Sequence, residues 1–126
     1  MNVLIVQSCR DLGGIWQNHL RRQGMDVDLA MGQREAIAQM IAHEPAIIVL
    51  DLLLAQGCAL AVADFASYRF PDARIIFVTN TTFFSDGSIF SHSPNACAFL
   101  QSQTPPEDLA AMVAHFGART GTPIPG

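Results

Sequence analysis

The feature that most restricts the fold is a series of short apolar runs spaced along the chain, each ended by a polar residue. Residues 3–6 (Val-Leu-Ile-Val), 46–50 (Ala-Ile-Ile-Val-Leu), 75–78 (Ile-Ile-Phe-Val) and 96–100 (Ala-Cys-Ala-Phe-Leu) are too short to be core helices. Apolar without alternation, they predict strands buried on both faces. Residues 25–30 alternate instead, with Asp26 and Asp28 between Met25, Val27 and Leu29, which predicts a half-exposed strand.

Helix-compatible segments separate these runs. Asp11 is placed to cap a helix to about Gln23, with Leu12, Ile15, Trp16, His19 and Leu20 on its buried stripe and Gly24 ending it. Gly13 and Gly14 each weaken that helix by about 1 kcal/mol relative to alanine. Residues 34–43 set Ala36, Ile37, Met40 and Ile41 at helical spacing before Pro45, and the alanine-rich residues 58–68 run on to Pro71. Thr104 as N-cap, a proline in the first turn, and Glu107 and Asp108 near the positive helix end predict a last helix to about Phe116. Arg21 and Arg22 read as an exposed helix end without a partner. Strands alternating with helices predict one α/β domain over residues 1–117, a parallel sheet with helices on both faces and right-handed crossovers. The proline- and glycine-containing tail, residues 118–126, is expected to be disordered.

Composition narrows the chemistry. All seven basic residues are arginines, so no mechanism needing an ε-amine is open to this chain. A net charge of −4 with scattered arginines argues against a nucleic-acid surface. The apolar run at residues 3–6 is far too short for a signal peptide or a membrane span, and the three cysteines form no CxxC. A cytoplasmic protein in a reducing compartment is the expectation. Cys9, Cys58, Cys97 and the dispersed histidines show no metal-site spacing, so redox or metal chemistry is the weakest reading and buried thiols the plainer one.

In a sheet of this kind, ligands bind beyond the carboxyl ends of the strands. A chemical function should therefore sit at residues 7–9, 51–53, 79–81 and 101–103. Asp51, directly after the apolar run at residues 46–50, is the leading candidate. Its position fits a carboxylate pointing into a cleft, and equally a helix N-cap or a turn residue.

Residues 3–6, Val49-Leu50-Asp51, Phe77-Val78-Thr79 and residues 96–100 followed by Thr104-Pro105-Pro106-Glu107-Asp108-Leu109 resemble the receiver domain of bacterial response regulators. The resemblance spans about residues 2–116. It implies a flavodoxin-like, doubly wound sheet of five parallel strands in the order 2-1-3-4-5. It also implies that Asp51 matches the phosphoacceptor, Thr79 the switch hydroxyl and Phe99 the switch aromatic. The acidic pair that holds Mg²⁺ in that family falls on Gln7 and Ser8, and the lysine that contacts the phosphoryl group falls on Ser102. The proline that usually follows the lysine is Gln103, and the segment after the acceptor lacks the usual Met-Pro but keeps Gly57.

With those charge-handling groups gone, Mg²⁺ binding is expected to be weak or absent, and no cofactor is implied. The resulting expectation is a stand-alone, degenerate receiver of a two-component-type pathway, not an enzyme, that works by phosphorylation-independent protein interaction. Two alternatives stand beside it. One is a single-domain regulator phosphorylated on Asp51 with unusual metal requirements. The other is a small-molecule sensor using the neutral cleft of Gln7, Ser8, Thr79, Asn80, Ser102 and Gln103, against the plainer reading that these groups hydrogen-bond one another and water. Phe83, Phe84, Ile89 and Phe90, in a poorly helical stretch, are divided between the chain's own core and a contact. The resemblance places that contact, a homodimer or a protein partner, on the face of the family's fourth helix, fifth strand and fifth helix. Neither nucleic acid nor membrane is expected as a partner.

Overall fold

The structure, a computed structural model, describes residues 2–52, 57–79, 96–101 and 104–118. The elements are β1 (Asn2–Val6), α1 (Arg10–Arg22), β2 (Asp26–Ala30), α2 (Gln33–His43), β3 (Ile47–Asp51), α3 (Ala59–Arg69), β4 (Arg74–Thr79), β5 (Ala96–Gln101) and a last helix, α4 (Pro106–Ala118). All strand pairings are parallel, and the sheet order is β2-β1-β3-β4-β5. The sequence expectation of a 2-1-3-4-5 sheet therefore holds.

The period-2 rule of a strand decides which side chain meets which helix. Leu4, Val6, Ile48, Leu50, Ile75 and Phe77 pack on one side, against Ala36 and Met40 of α2 and Ala59, Val62, Ala63 and Ala66 of α3. Val3, Ile5, Ile47, Val49, Ile76 and Val78 pack on the other, against Trp16 and Leu20 of α1 and Leu109, Ala110 and Val113 of α4. Each fully buried side chain of this size contributes about 1.5–3 kcal/mol of transfer free energy.

Helix details depart from the sequence expectations. Cys9, not Asp11, is the N-cap of α1, and Asp11 lies in the first turn. The buried stripe of α1 is Gly13, Trp16 and Leu20, whereas Ile15 is 53% exposed and His19 only half-buried. Ile41 of α2 is likewise 55% exposed, because Ala36 and Met40 fill the contact with the sheet. Gly24 does follow the end of α1, with φ +90, and α2 ends before Pro45. The Pro105 carbonyl receives the Leu109 N–H, so Thr104 stays in the turn before α4, and α4 runs past Phe116 to Ala118. Arg21 is not idle, since its Nη2 donates to the Val27 carbonyl of the edge strand β2 at 3.2 Å, as does Gln17 Nε2 at 3.0 Å. These two donors cover part of an edge that would otherwise be open to another strand.

On β5 the pairing steps from Ile75↔Ala96 to Ile76↔Ala98, so Cys97 is the extra residue of a β-bulge. Of the expected tail, residues 119–126 lie outside the described residues. Among the described residues, no helix is long and apolar enough to cross a membrane.

Candidate functional site

β1 and β3 are neighbours in register, Val6 beside Leu50, so the residues that follow, Gln7 and Asp51, meet at the carboxyl end of the sheet. Both continue the odd-numbered side of their strands, toward α1 and α4. They are the two buried polar side chains of the described residues, Gln7 at 3% and Asp51 at 8% exposure. Gln7 Nε2 donates to Asp51 Oδ2 at 2.6 Å. At its other end, Gln7 Oε1 accepts the backbone N–H of Cys9 at 3.1 Å. A carboxamide offers donors on one atom and acceptors on the other, and here each end is used. A hydrogen bond to a buried carboxylate is worth about 1.5–3 kcal/mol, more than a neutral pair.

The surroundings hold this pair in place. Ser8 Oγ donates to the Met31 carbonyl at 3.1 Å, tying the β1–α1 loop to the one after β2. Gly13 sits where α1 passes closest to the site. A Cβ there would lie 2.7 Å from Leu29 Cδ1 and 3.4 Å from Gln7 Cβ. The glycine counted from sequence as a helix weakness thus gives the Leu29 side chain its place against α1. After Asp51, Leu52 N–H continues onto the Val78 carbonyl at 2.9 Å. The chain is gripped again at Gly57 and Cys58, where Gln33 Oε1 of α2 accepts the Cys58 N–H at 2.9 Å. Gly57 has φ +86, and a Cβ on it would overlap Gln33 Cβ. Gln33 was not a sequence candidate, and a polar residue opening a helix carries no signal that would single it out.

Thr79 ends β4 and pairs with Gln101, one residue beyond the Asp51↔Val78 pair, so its backbone reaches the same end of the sheet as Asp51. Phe99 lies in β5 opposite Phe77. Asn80, Ser102, Gln103, Phe83, Phe84, Ile89 and Phe90 lie outside the described residues. Cys9 and Cys58 do reach the top of the sheet, at the N-caps of α1 and α3, but both are exposed free thiols and not buried ones. Among the described residues, no three His, Cys, Asp or Glu side chains are grouped so as to hold a metal ion.

No protein-family profile matches the chain, and no curated protein matches it. Solved structures do. A two-component response regulator from Clostridium difficile is 20% identical with a TM-score of 0.86, covering 97% of this chain and 99% of that one. The receiver domain of NtrX from Brucella abortus is 16% identical with a TM-score of 0.84, covering 94% and 99%. A CheY-like receiver domain protein from Methanospirillum hungatei is 18% identical with a TM-score of 0.83, covering 92% of each chain. At these identities the likeness is one of fold, and the chain has the CheY-like receiver fold.

The receiver resemblance implies Mg²⁺ at this end of the sheet, and the described side chains here do not fit it. Mg²⁺ requires an octahedral shell of oxygens, anionic ones above all. Asp51 supplies one carboxylate, while its neighbour turns an N–H donor toward it and Ser8 directs its hydroxyl to a carbonyl.

Proposed function

We propose that this chain is a receiver-type signalling domain that works by contact with a protein partner and does not carry a phosphoryl group on Asp51. The observation that carries this reading is the bond from the neutral Gln7 carboxamide to Asp51 Oδ2. The acceptor carboxylate is kept, but it is engaged by an uncharged neighbour. The absence of lysine from the sequence, with serine at position 102, supports the same conclusion. Phosphoryl transfer depends on positioning and on neutralising charge over the equatorial oxygens. Each preorganised stabiliser lost raises the barrier by about 3–4 kcal/mol, and two are lost here.

The contact is assigned to the side of the sheet ending in β5 and α4, with the apolar Phe83, Phe84, Ile89 and Phe90 of the intervening sequence. Its occupant is a protein partner or a second copy of the chain.

Incubation with acetyl phosphate and Mg²⁺, followed by intact mass measurement, tests the reading. The expected result is unmodified protein. A stoichiometric phosphoryl adduct that disappears in Asp51→Asn would overturn it.

A further inference from the structure

We propose that Gln7 is a permanent, protein-supplied substitute for a divalent cation, which leaves the Asp51 cleft closed to Mg²⁺ and indifferent to it. This rests on reading the cleft as a receiver-type cleft, and it adds what occupies the metal's role.

The argument starts from the two ends of one side chain. Gln7 Nε2 faces Asp51 Oδ2 at 2.6 Å because Oε1 is held by the Cys9 N–H at 3.1 Å. To ligate a cation beside Asp51, the carboxamide would have to turn its oxygen inward. That rotation would break both hydrogen bonds together and leave the Cys9 N–H at the start of α1 without its acceptor. Mg²⁺ would gain only a neutral ligand, where it favours anionic oxygens.

Gln7 is 3% exposed, so any rearrangement of its carboxamide has to take place inside the protein rather than in solvent. Ser8, the other residue after β1, is tied to the Met31 carbonyl. Through its two hydrogen bonds the amide joins β1 to β3 and to the N-cap of α1.

Thermal unfolding of the full chain tests this, followed by Trp16 fluorescence, with and without MgCl₂ at matched ionic strength. The wild-type Tm is expected not to move. Gln7→Glu sets a second carboxylate against Asp51, and Mg²⁺ at about ten times its Kd is expected to raise that variant's Tm by about 4–8 °C. Adding Asp51→Asn to Gln7→Glu should abolish the response. A Mg²⁺-dependent rise in wild-type Tm that is lost in Asp51→Asn would overturn the proposal. A folded Gln7→Glu variant indifferent to Mg²⁺ would overturn it as well, since Gln7 would then not be what excludes the ion. If Gln7→Glu does not fold, wild type and Asp51→Asn still decide the matter.

Failure here is separable from failure of the functional reading. Phosphorylation by acetyl phosphate in metal-free buffer would refute that reading and leave Gln7 as the substitute. Mg²⁺ binding to wild type without phosphorylation would refute only the substitution.

Discussion

The loops after β1 and β3 are each secured by a glutamine, and the two glutamines do different work. Gln33, half-buried at the start of α2, uses its Oε1 to hold the Cys58 N–H at the head of α3. Gln7, fully buried, uses Oε1 in the same way on the Cys9 N–H at the head of α1, and then spends its Nε2 on Asp51. Both supply an acceptor to a helix start whose N-cap cysteine makes no side-chain cap bond. Only Gln7 also satisfies a buried carboxylate. The comparison shows one local device used at the surface for geometry and in the interior for geometry and charge together.

Substitutions separate these roles. The largest effect is expected at Gly57→Ala, which forces an L-residue to φ +86 and drives its Cβ into Gln33 Cβ. Left-handed strain and overpacking together should cost about 2–4 kcal/mol, read from urea unfolding. Gln7→Leu comes next. It removes a donor from buried Asp51 and should cost about 2–3 kcal/mol in the same assay. Gln33→Ala deletes a more exposed bond and should cost only about 0.5–1 kcal/mol. If the two glutamine variants lost equal stability, the distinction between them would collapse. Asp51→Asn is the smallest, within about 0.5 kcal/mol of wild type, because the amide keeps an acceptor for Gln7 Nε2.

The sheet was legible because four of its five strands are continuous apolar runs, and their alternation with helical segments calls for a layered α/β arrangement that covers both faces. β4, Arg74–Thr79, extends the apolar run at residues 75–78 by one residue at each end. The helices were less legible. Periodicity placed Ile15 on the buried stripe of α1, but the contact is made by Gly13, Trp16 and Leu20. Gly13 has no hydrophobic signal, and its value lies in the missing Cβ over Leu29. At the site, Asp51 was legible as a carboxylate ending a buried strand, and the resemblance marked Gln7 as a neutral replacement. That Gln7 would bind Asp51 across 44 positions of sequence depends on strand order and on the amide's second partner at Cys9. No pattern along the chain encodes that pairing.

The Gln7 side-chain amide in an NMR spectrum is the most direct probe of this arrangement. Its Nε2 protons are predicted to be protected from solvent exchange, to shift in Asp51→Asn, and to stay in place when Mg²⁺ is added to wild type. Protons exchanging as fast as those of a free glutamine side chain, or moving with Mg²⁺, would contradict the account.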